Sequence, residues 1–432
     1  MINAAVWLVF AVSLTALVYS HVVYPMLMAL ASLKKAAPPA GGEWPSVSLI
    51  IPAHNESLVI DAKLQNTLSI DYPAEKWEVI VASDGSSDDT VAQARAYEDR
   101  GVQVLDLKPR RGKASILNDA VAACHGEIIC LCDANVMFRP DAVRTMAAHF
   151  VDPTIGAVTG DVRLASEQSD FGEGEGRYYK LERAVQLGES QIGSVVCVDG
   201  GMYALRRELY RTLAADTVLD DFTTTMNVIR QGSRVIYDPA AIADENGTPY
   251  WQDEYRRRIR TTMGAVQSLK RGYWPPPLRP IVFWQYLSHK LLRWLGPLWL
   301  GAVLVTSCLL WSTGPLMRAL VIGQGAAYSM AALAAVSEPL RRTRLGGIVF
   351  YFAMSHVAIA HGWMRGLVGN PSGIWQRTAR TPLSSDAPAT TSSSSQVQSS
   401  EPGRRAPHGG SGQNGFTGHR DGERTSSAVL PQ

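Results

Sequence analysis

Charge is spread unevenly along this chain, and that unevenness limits what it can fold into. Residues 2–33 contain no Asp, Glu, Lys or Arg, and three later runs, 294–317, 319–337 and 345–364, are equally uncharged. About 20 apolar residues cross a bilayer as one helix, so each run is long enough. Four such runs weigh against buried helices of a soluble protein. A cleaved signal peptide would be shorter and would follow basic residues, whereas here Lys34 and Lys35 come after the run. Basic residues tend to remain on the cytoplasmic side, so the expectation is an outside N-terminus and a cytoplasmic domain after residue 33. Arg341, Arg342 and Arg344 place the last loop inside, which gives four crossings. Arg377 and Arg380 argue the other way for the final one. Residues 279–293 mix aromatics with Arg, His and Lys and read as an interfacial helix.

Residues 43–272 have the composition of a globular α/β domain. β-Branched runs at 47–51, 77–82, 102–107 and 128–132 alternate with helical patterns at 58–70 and 90–100. Strands separated by helices predict a mostly parallel sheet, and ligands of such sheets bind beyond the carboxyl ends of the strands. Lys and Arg number 41 against 39 Asp and Glu, a formal charge of +2. That balance excludes nucleic-acid binding by bulk charge. The five cysteines form no Cys-x-x-Cys pair, so neither a disulfide framework nor a zinc site is expected. From about 382 to 432, Ser, Thr, Gly, Pro and Gln dominate, and the tail is expected to be disordered.

Polar clusters fall where the strands end. Pro52-Ala53-His54-Asn55-Glu56 follows the first, and Ser83-Asp84-Gly85-Ser86 follows the second. Acidic side chains there can accept hydrogen bonds from a ribose or a base, although Asp-Gly is also an ordinary turn. Arg111-Gly112-Lys113 offers cations to phosphates. Asp133-Ala134-Asn135 closes the fourth strand with two oxygen donors that suit Mg²⁺ or Mn²⁺ shared with phosphate. Asp220-Asp221 precedes an arginine run at 256–260. A carboxylate near cations makes a workable base and leaving-group pair. Alone, the acidic pair also suits a helix start, and the arginine run a membrane-facing basic surface. There is no P-loop and no dinucleotide fingerprint between a strand and a helix.

In this order, over about residues 45–380, the motifs resemble membrane-integrated family 2 glycosyltransferases, the cellulose, hyaluronan and poly-N-acetylglucosamine synthases. Gly200-Gly201 before the acidic pair and Ser288-His289-Lys290 before Arg293-Trp294 fit the same resemblance. It implies a GT-A nucleotide-sugar domain at 43–272, a transmembrane helix at 1–33, an interfacial helix at 279–293 and three transmembrane helices within 294–369. It implies that Pro52, Ala53, Asn55, Glu56, Asp84, Lys113, Asp133 and Arg257 bind the donor. Asp133 and Asn135 then hold Mg²⁺ or Mn²⁺, and Asp221, with Asp220 and Arg260, carries the chemistry.

The resemblance further implies an inverting transfer from a nucleotide-sugar, a UDP-sugar first, to a glycan or lipid-linked acceptor in exopolysaccharide or surface-glycan synthesis. The setting it implies is a bacterial inner membrane with a cytoplasmic catalytic domain, lipids as partners and room for an accessory secretion subunit. Three positions depart from the family pattern. Asn135 replaces the second Asp of its DxD motif, Leu219-Asp220 replaces Thr-Glu, and Thr261 stands where processive synthases have Trp. Loss of that ring leaves single transfer to a lipid-linked acceptor open beside polymer synthesis. A transporter would show polar or charged residues within the spans, for which His356 and His361 in the last span are the candidates. A catalytically dead scaffold would lack Asp133 or Asp221.

Overall fold

The computed structural model describes residues 2–33, 43–164, 173–245, 250–369 and 373. The tail expected to be disordered, and Lys34, Lys35, Arg377 and Arg380, lie outside them. The chain opens with α1 (Ile2–Val18) and α2 (Tyr24–Ala31), joined through a π turn at Tyr19–Val23. The globular part then runs β1 (Val47–Ala53), α3 (Ile60–Leu68), β2 (Trp77–Asp84), α4 (Thr90–Arg95), β3 (Val102–Leu107), α5 (Lys113–Ala123), β4 (Ile128–Cys132), β5 (Val136–Phe138) and α6 (Ala142–Ala148). It continues with β6 (Ile155–Leu164), α7 (Glu173–Ile192), β7 (Met202–Arg206), α8 (Asp220–Arg230), β8 (Arg234–Glu245) and α9 (Trp251–Lys270).

The eight strands form one sheet in the order β3-β2-β1-β4-β7-β6-β8-β5. The four strands read from the sequence make its parallel half, β3-β2-β1-β4. β7 is antiparallel to both β4 and β6, whereas β6 and β8 run parallel. Every residue of β1 is buried, as expected for a strand covered on both faces. Its alternate side chains serve two cores. Leu49 and Ile51 face the α3 and α6 side, and Ile50 faces α5 and α8.

Beyond α9 come α10 (Pro280–Tyr286), a π turn at Leu287–Leu291, α11 (Leu292–Trp294), α12 (Gly296–Leu309), α13 (Pro315–Val336), α14 (Glu338–Arg341) and α15 (Arg344–Val368). Three helical stretches, Ala4–Ala31, α13 and α15, are long and apolar enough to cross a membrane. The uncharged run at 294–317 is not one helix. The chain bends by 61° between α11 and α12, where Gly296-Pro297 removes a backbone donor, and α12 ends at a turn around Trp311–Thr313. Phe10, Val303, Leu310 and Met317 pack α1, α12 and α13 together.

Two seams join these helices to the globular part. At the first, α7 lies against α2 so closely that a Cβ on Gly188 would sit 2.1 Å from the Met28 carbonyl oxygen. Here both ring nitrogens of His289 meet carboxylates, Glu182 at 2.6 Å and Glu189 at 2.8 Å. Arg293 also holds Glu182 (2.9 Å), and the Tyr24 hydroxyl donates to Glu189 (2.6 Å). Burial alone would raise the Glu182 carboxyl, but His289 and Arg293 outweigh it and hold it well below the usual range. At the second seam, α9 runs beside α15. Trp251 meets Phe350 edge-on at one end (5.4 Å), and Lys270 donates to the carbonyls of Gly366 and Leu367 at the other.

The first seam yields a test. Gly188→Ala forces α2 from α7, at a cost of about 1–3 kcal/mol, the usual range for overpacking. Thermal unfolding in detergent should show a lower midpoint. Gly323→Ala in α13, where an added Cβ meets nothing within 4 Å, should not lower it.

Candidate active site

The first two motifs build the floor of the site by stitching two loops together. Asn55 sits at φ +55°, a backbone region that Asn tolerates better than most residues. Its Oδ1 accepts the Ser87 N–H (2.8 Å). The backbone N–H groups of Asn55, Glu56 and Ser57 donate to Ser86, Thr90 and Asp88. Asp84 is fully buried, and its two oxygens accept the N–H groups of Arg111 (2.6 Å) and Gly112 (2.9 Å). Gly112 takes φ +94°, which only glycine adopts without strain, and this turn starts α5 at Lys113.

Lys113 then bridges the third and fourth motifs. Its ammonium lies 2.9 Å from Asp133 Oδ1 and 3.4 Å from Asp220 Oδ2. Burial alone would lower its pKa, but Asp133, Asp220 and Asp221 outweigh that and raise it. The loop after β4 is braced by Lys63, which is buried and donates to the Val136 carbonyl (2.6 Å). Asn135 turns its amide nitrogen to Glu245 at the end of β8 (3.0 Å).

Asp220 and Asp221 open α8. The Asp221 carboxyl is raised to about 6, first by burial and then by the charge of Asp220. Gly200 lies against it, and a Cβ there would come within 3.1 Å of Asp221 Oδ2. Phe222, the next residue, packs on Trp294 of α11 (5.7 Å), which ties the start of α8 to the helices beyond the domain.

These parts enclose a cleft of about 290 Å³. Its wall includes Pro52, Glu56, Lys113, Asp133, Asn135, Asp220, Asp221, Arg257 and Arg260. The expected base, cation-binding pair and arginine thus share one cavity. Ala53, Asn55 and Asp84 are not on its wall. Asp84 is spent on the backbone of the basic loop, and Asn55 on the neighbouring turn. Thr261 lines the cleft where the family pattern has Trp.

Three wall or support residues were not anticipated. Asp199 stands in the wall beside Gly200 with one oxygen on the Gly201 N–H (2.9 Å). Burial raises its carboxyl, and Asp133 adds to the rise. Glu245 closes the wall beside Asn135. Glu254, buried in α9, grips Arg257 (2.7 Å) and Arg258 (2.7 Å). Its spacing of three and four residues from these arginines is a helix-pairing signal that a sequence can show. Asp199 and Glu245 carry no comparable local signature.

The donor set can be tested against a divalent cation. Asp133 and Asn135 offer a carboxylate and an amide oxygen on one loop, both hard donors. Among the described residues no group of three His, Cys, Asp or Glu could hold a metal. The pair therefore fits a cation only if phosphate oxygens and water complete its shell, as Mg²⁺ commonly requires.

The cleft lies at the carboxyl edge of the parallel half-sheet and sets a raised carboxyl among cationic side chains. Residues 48–214 match the family model described as Glycosyl transferase family 2. Over that stretch the chain is similar to family 2 glycosyltransferases. It is 28% identical over 236 residues to a "Probable glycosyltransferase YdaM" of Bacillus subtilis (strain 168), covering 51% of this chain and 56% of that one. It is 27% identical over 259 residues to a "Poly-beta-1,6-N-acetyl-D-glucosamine synthase" of Staphylococcus aureus (strain COL), covering 57% and 62%. The matches thus span about three fifths of these relatives' length. Among solved structures, the mannosyltransferase PcManGT from Pyrobaculum calidifontis, in complex with GDP-Man and Mn²⁺, superposes with a TM-score of 0.65. Its identity is 23%, over 85% of this chain and 99% of that one. That likeness places the domain in the GT-A fold.

Two measurements follow from the raised Asp221 carboxyl. A base must be ionised to act, so kcat/KM should rise with pH and reach half its plateau near pH 6. Asp220→Asn removes the charge that helps raise Asp221 and should move this midpoint to lower pH. A carboxyl raised in the folded state destabilises it at pH values above its unfolded pKa. Asp221→Asn should therefore raise the melting temperature at pH 8, lose that gain at pH 4, and abolish turnover.

Proposed function

We propose that this protein transfers a sugar from a nucleotide-sugar, a UDP-sugar first, to a hydroxyl of a glycan acceptor at a membrane surface, with inversion at the anomeric carbon. The observation that carries this reading is the placement of Asp221, Lys113, Asp133 and Arg260 around one cleft. Asp221 takes the acceptor proton as the hydroxyl oxygen attacks the anomeric carbon. The bond to the nucleotide diphosphate breaks on the opposite side. The Arg260 side chain makes no hydrogen bond or ion pair to the protein among the described residues and lies on the cleft wall, so its guanidinium is available to the leaving diphosphate. Lys113 adds a second cation, and Glu254 orients Arg257 at the same edge. Asp133 and Asn135 would hold a divalent cation, Mg²⁺ or Mn²⁺, which offsets charge on the departing diphosphate. The neighbour's complex with Mn²⁺ supports this choice.

The setting we propose is exopolysaccharide assembly, supported by the likeness to the Staphylococcus aureus synthase. Transfer of a single sugar to a lipid-linked acceptor is the second reading, favoured by Thr261 in the cleft wall. We place the α1–α2 helix and the α12–α13 hairpin across a bacterial inner membrane, the domain at 43–272 in the cytoplasm, and α10–α11 at the interface. The fourth crossing expected from the sequence is not part of this proposal. α15 is tied along its length to α9 of the catalytic domain, so it lies with that domain at the membrane surface.

The test is nucleotide release by the full chain in nanodiscs, offered UDP-, GDP- and ADP-sugars with Mg²⁺ or Mn²⁺. Release from one donor, lost with chelator and in Asp221→Asn, is the expected result. Product length then separates polymer from single transfer. Equal release by wild type and Asp221→Asn would overturn the assignment of the base.

A further inference from the structure

α9 has two working faces. One carries Arg257, Arg260 and Thr261 into the catalytic cleft. The other, with Trp251, Tyr255 and Ile259, forms one wall of a separate groove of about 720 Å³. Tyr328 and Ala332 of α13 and Phe350 and Met354 of α15 complete its apolar lining. Arg256, His361 and Arg365 stand along it, and no carboxylate lines it. The groove continues past His361 and Arg365 into a second hollow beside Met364 and Val368, again without a carboxylate.

We propose that this groove binds a bilayer phospholipid with an anionic headgroup, its acyl chain between α9, α13 and α15 and its phosphate on Arg365. Three observations carry this. The volume falls in the range of small-molecule sites, while the lining is that of a hydrocarbon site. The charged side chains that line it are all cationic or His. Arg256 remains 77% exposed despite its contact with Asp253 (3.1 Å), and the exposed Arg365 side chain makes no hydrogen bond or ion pair to the protein among the described residues. Tyr and Trp rings facing such a groove suit the headgroup level of a membrane. The cleft opens on the opposite face of α9, so a lipid held here does not present its headgroup to Asp221. It is a bound, unreacted lipid. Its contacts with α9 link the lipid surface to the helix that carries the cleft arginines. The proposal rests on the reading of α1–α2, α12 and α13 as membrane helices, and not on the sugar-transfer chemistry.

The test is native mass spectrometry of the detergent-solubilised full chain with equimolar phosphatidylglycerol and phosphatidylcholine. Wild type should retain one phosphatidylglycerol per chain in preference to phosphatidylcholine. Arg365→Gln should cut that preference about fivefold, the effect of about one basic residue at a lipid surface. Ala332→Trp, which fills the groove from α13, should abolish retention of both lipids without lowering the melting temperature. Indifference of wild type to headgroup charge would overturn the proposal, as would wild-type retention by both variants. Displacement of phosphatidylglycerol by an isoprenoid phosphate that then becomes glycosylated would also overturn it, making the groove an acceptor site. Nucleotide release measured on the same preparation keeps the two readings apart. Lipid retained without release sinks the transferase reading alone, and release without selective retention sinks this one alone.

Discussion

The arrangement of the site depends on one buried cation. Lys113 reaches Asp133 at the end of β4 and Asp220 at the start of α8, two points far apart in sequence. Without it, Asp133 and Asp220 would lose the ammonium they share on the wall of one small cleft. Like charges in a partly buried site repel on the scale of about 4 kcal/mol at 4 Å with an effective dielectric near 20. With Lys113 in place, one positive charge is shared between Asp133 and Asp220, and Asp221 is the carboxyl raised towards neutral pH, by burial and by the charge that Asp220 still carries. The same side chain therefore holds the cleft together and differentiates its acids. Asp84 makes this possible from below, because its grip on the Arg111 and Gly112 backbone fixes where α5 begins.

Coupling between the catalytic domain and the apolar helices is polar at one seam and close-packed at the other. At the first, the carboxylates of α7 meet His289 and Arg293, next to a glycine contact that admits no side chain. At the second, Gly362 and Gly366 of α15 let α9 approach closely; a Cβ on either would press on Thr262 or Val266. Phe222 against Trp294 adds a third link, adjacent to Asp221. The helices beyond the domain are thus packed against the walls of the candidate site. A shift in these helices would reach α8 and α9 through packed side chains.

Much of this was legible in the sequence, and the reasons are specific. The parallel half-sheet could be read because β1, β2 and β4 each hold a short, largely apolar run and β3 carries apolar residues at 102, 104, 105 and 107 between helical patterns. β5 to β8 escaped because their pairing depends on segments far away, β4 and β6 for β7, and β6 and β5 for β8. For the same reason Glu245 went unnoticed, since its approach to Asn135 requires β8 to pair with β5. Asp84 was legible as a motif residue but not in its role. Only the tertiary structure shows both its oxygens committed to backbone donors.

The sequence by itself determined the division of the chain into apolar helices and an α/β domain, because solvation free energy follows local composition. It also determined the order of the chemistry-bearing motifs, since each sits where a strand or helix must end. What the tertiary structure decided is which of those side chains meet. That Lys113 joins Asp133 to Asp220, that Glu254 rather than solvent holds Arg257, and that α15 lies along α9 all depend on contacts between distant segments. No local pattern encodes such contacts, because their energy exists only once the sheet and helices are packed together.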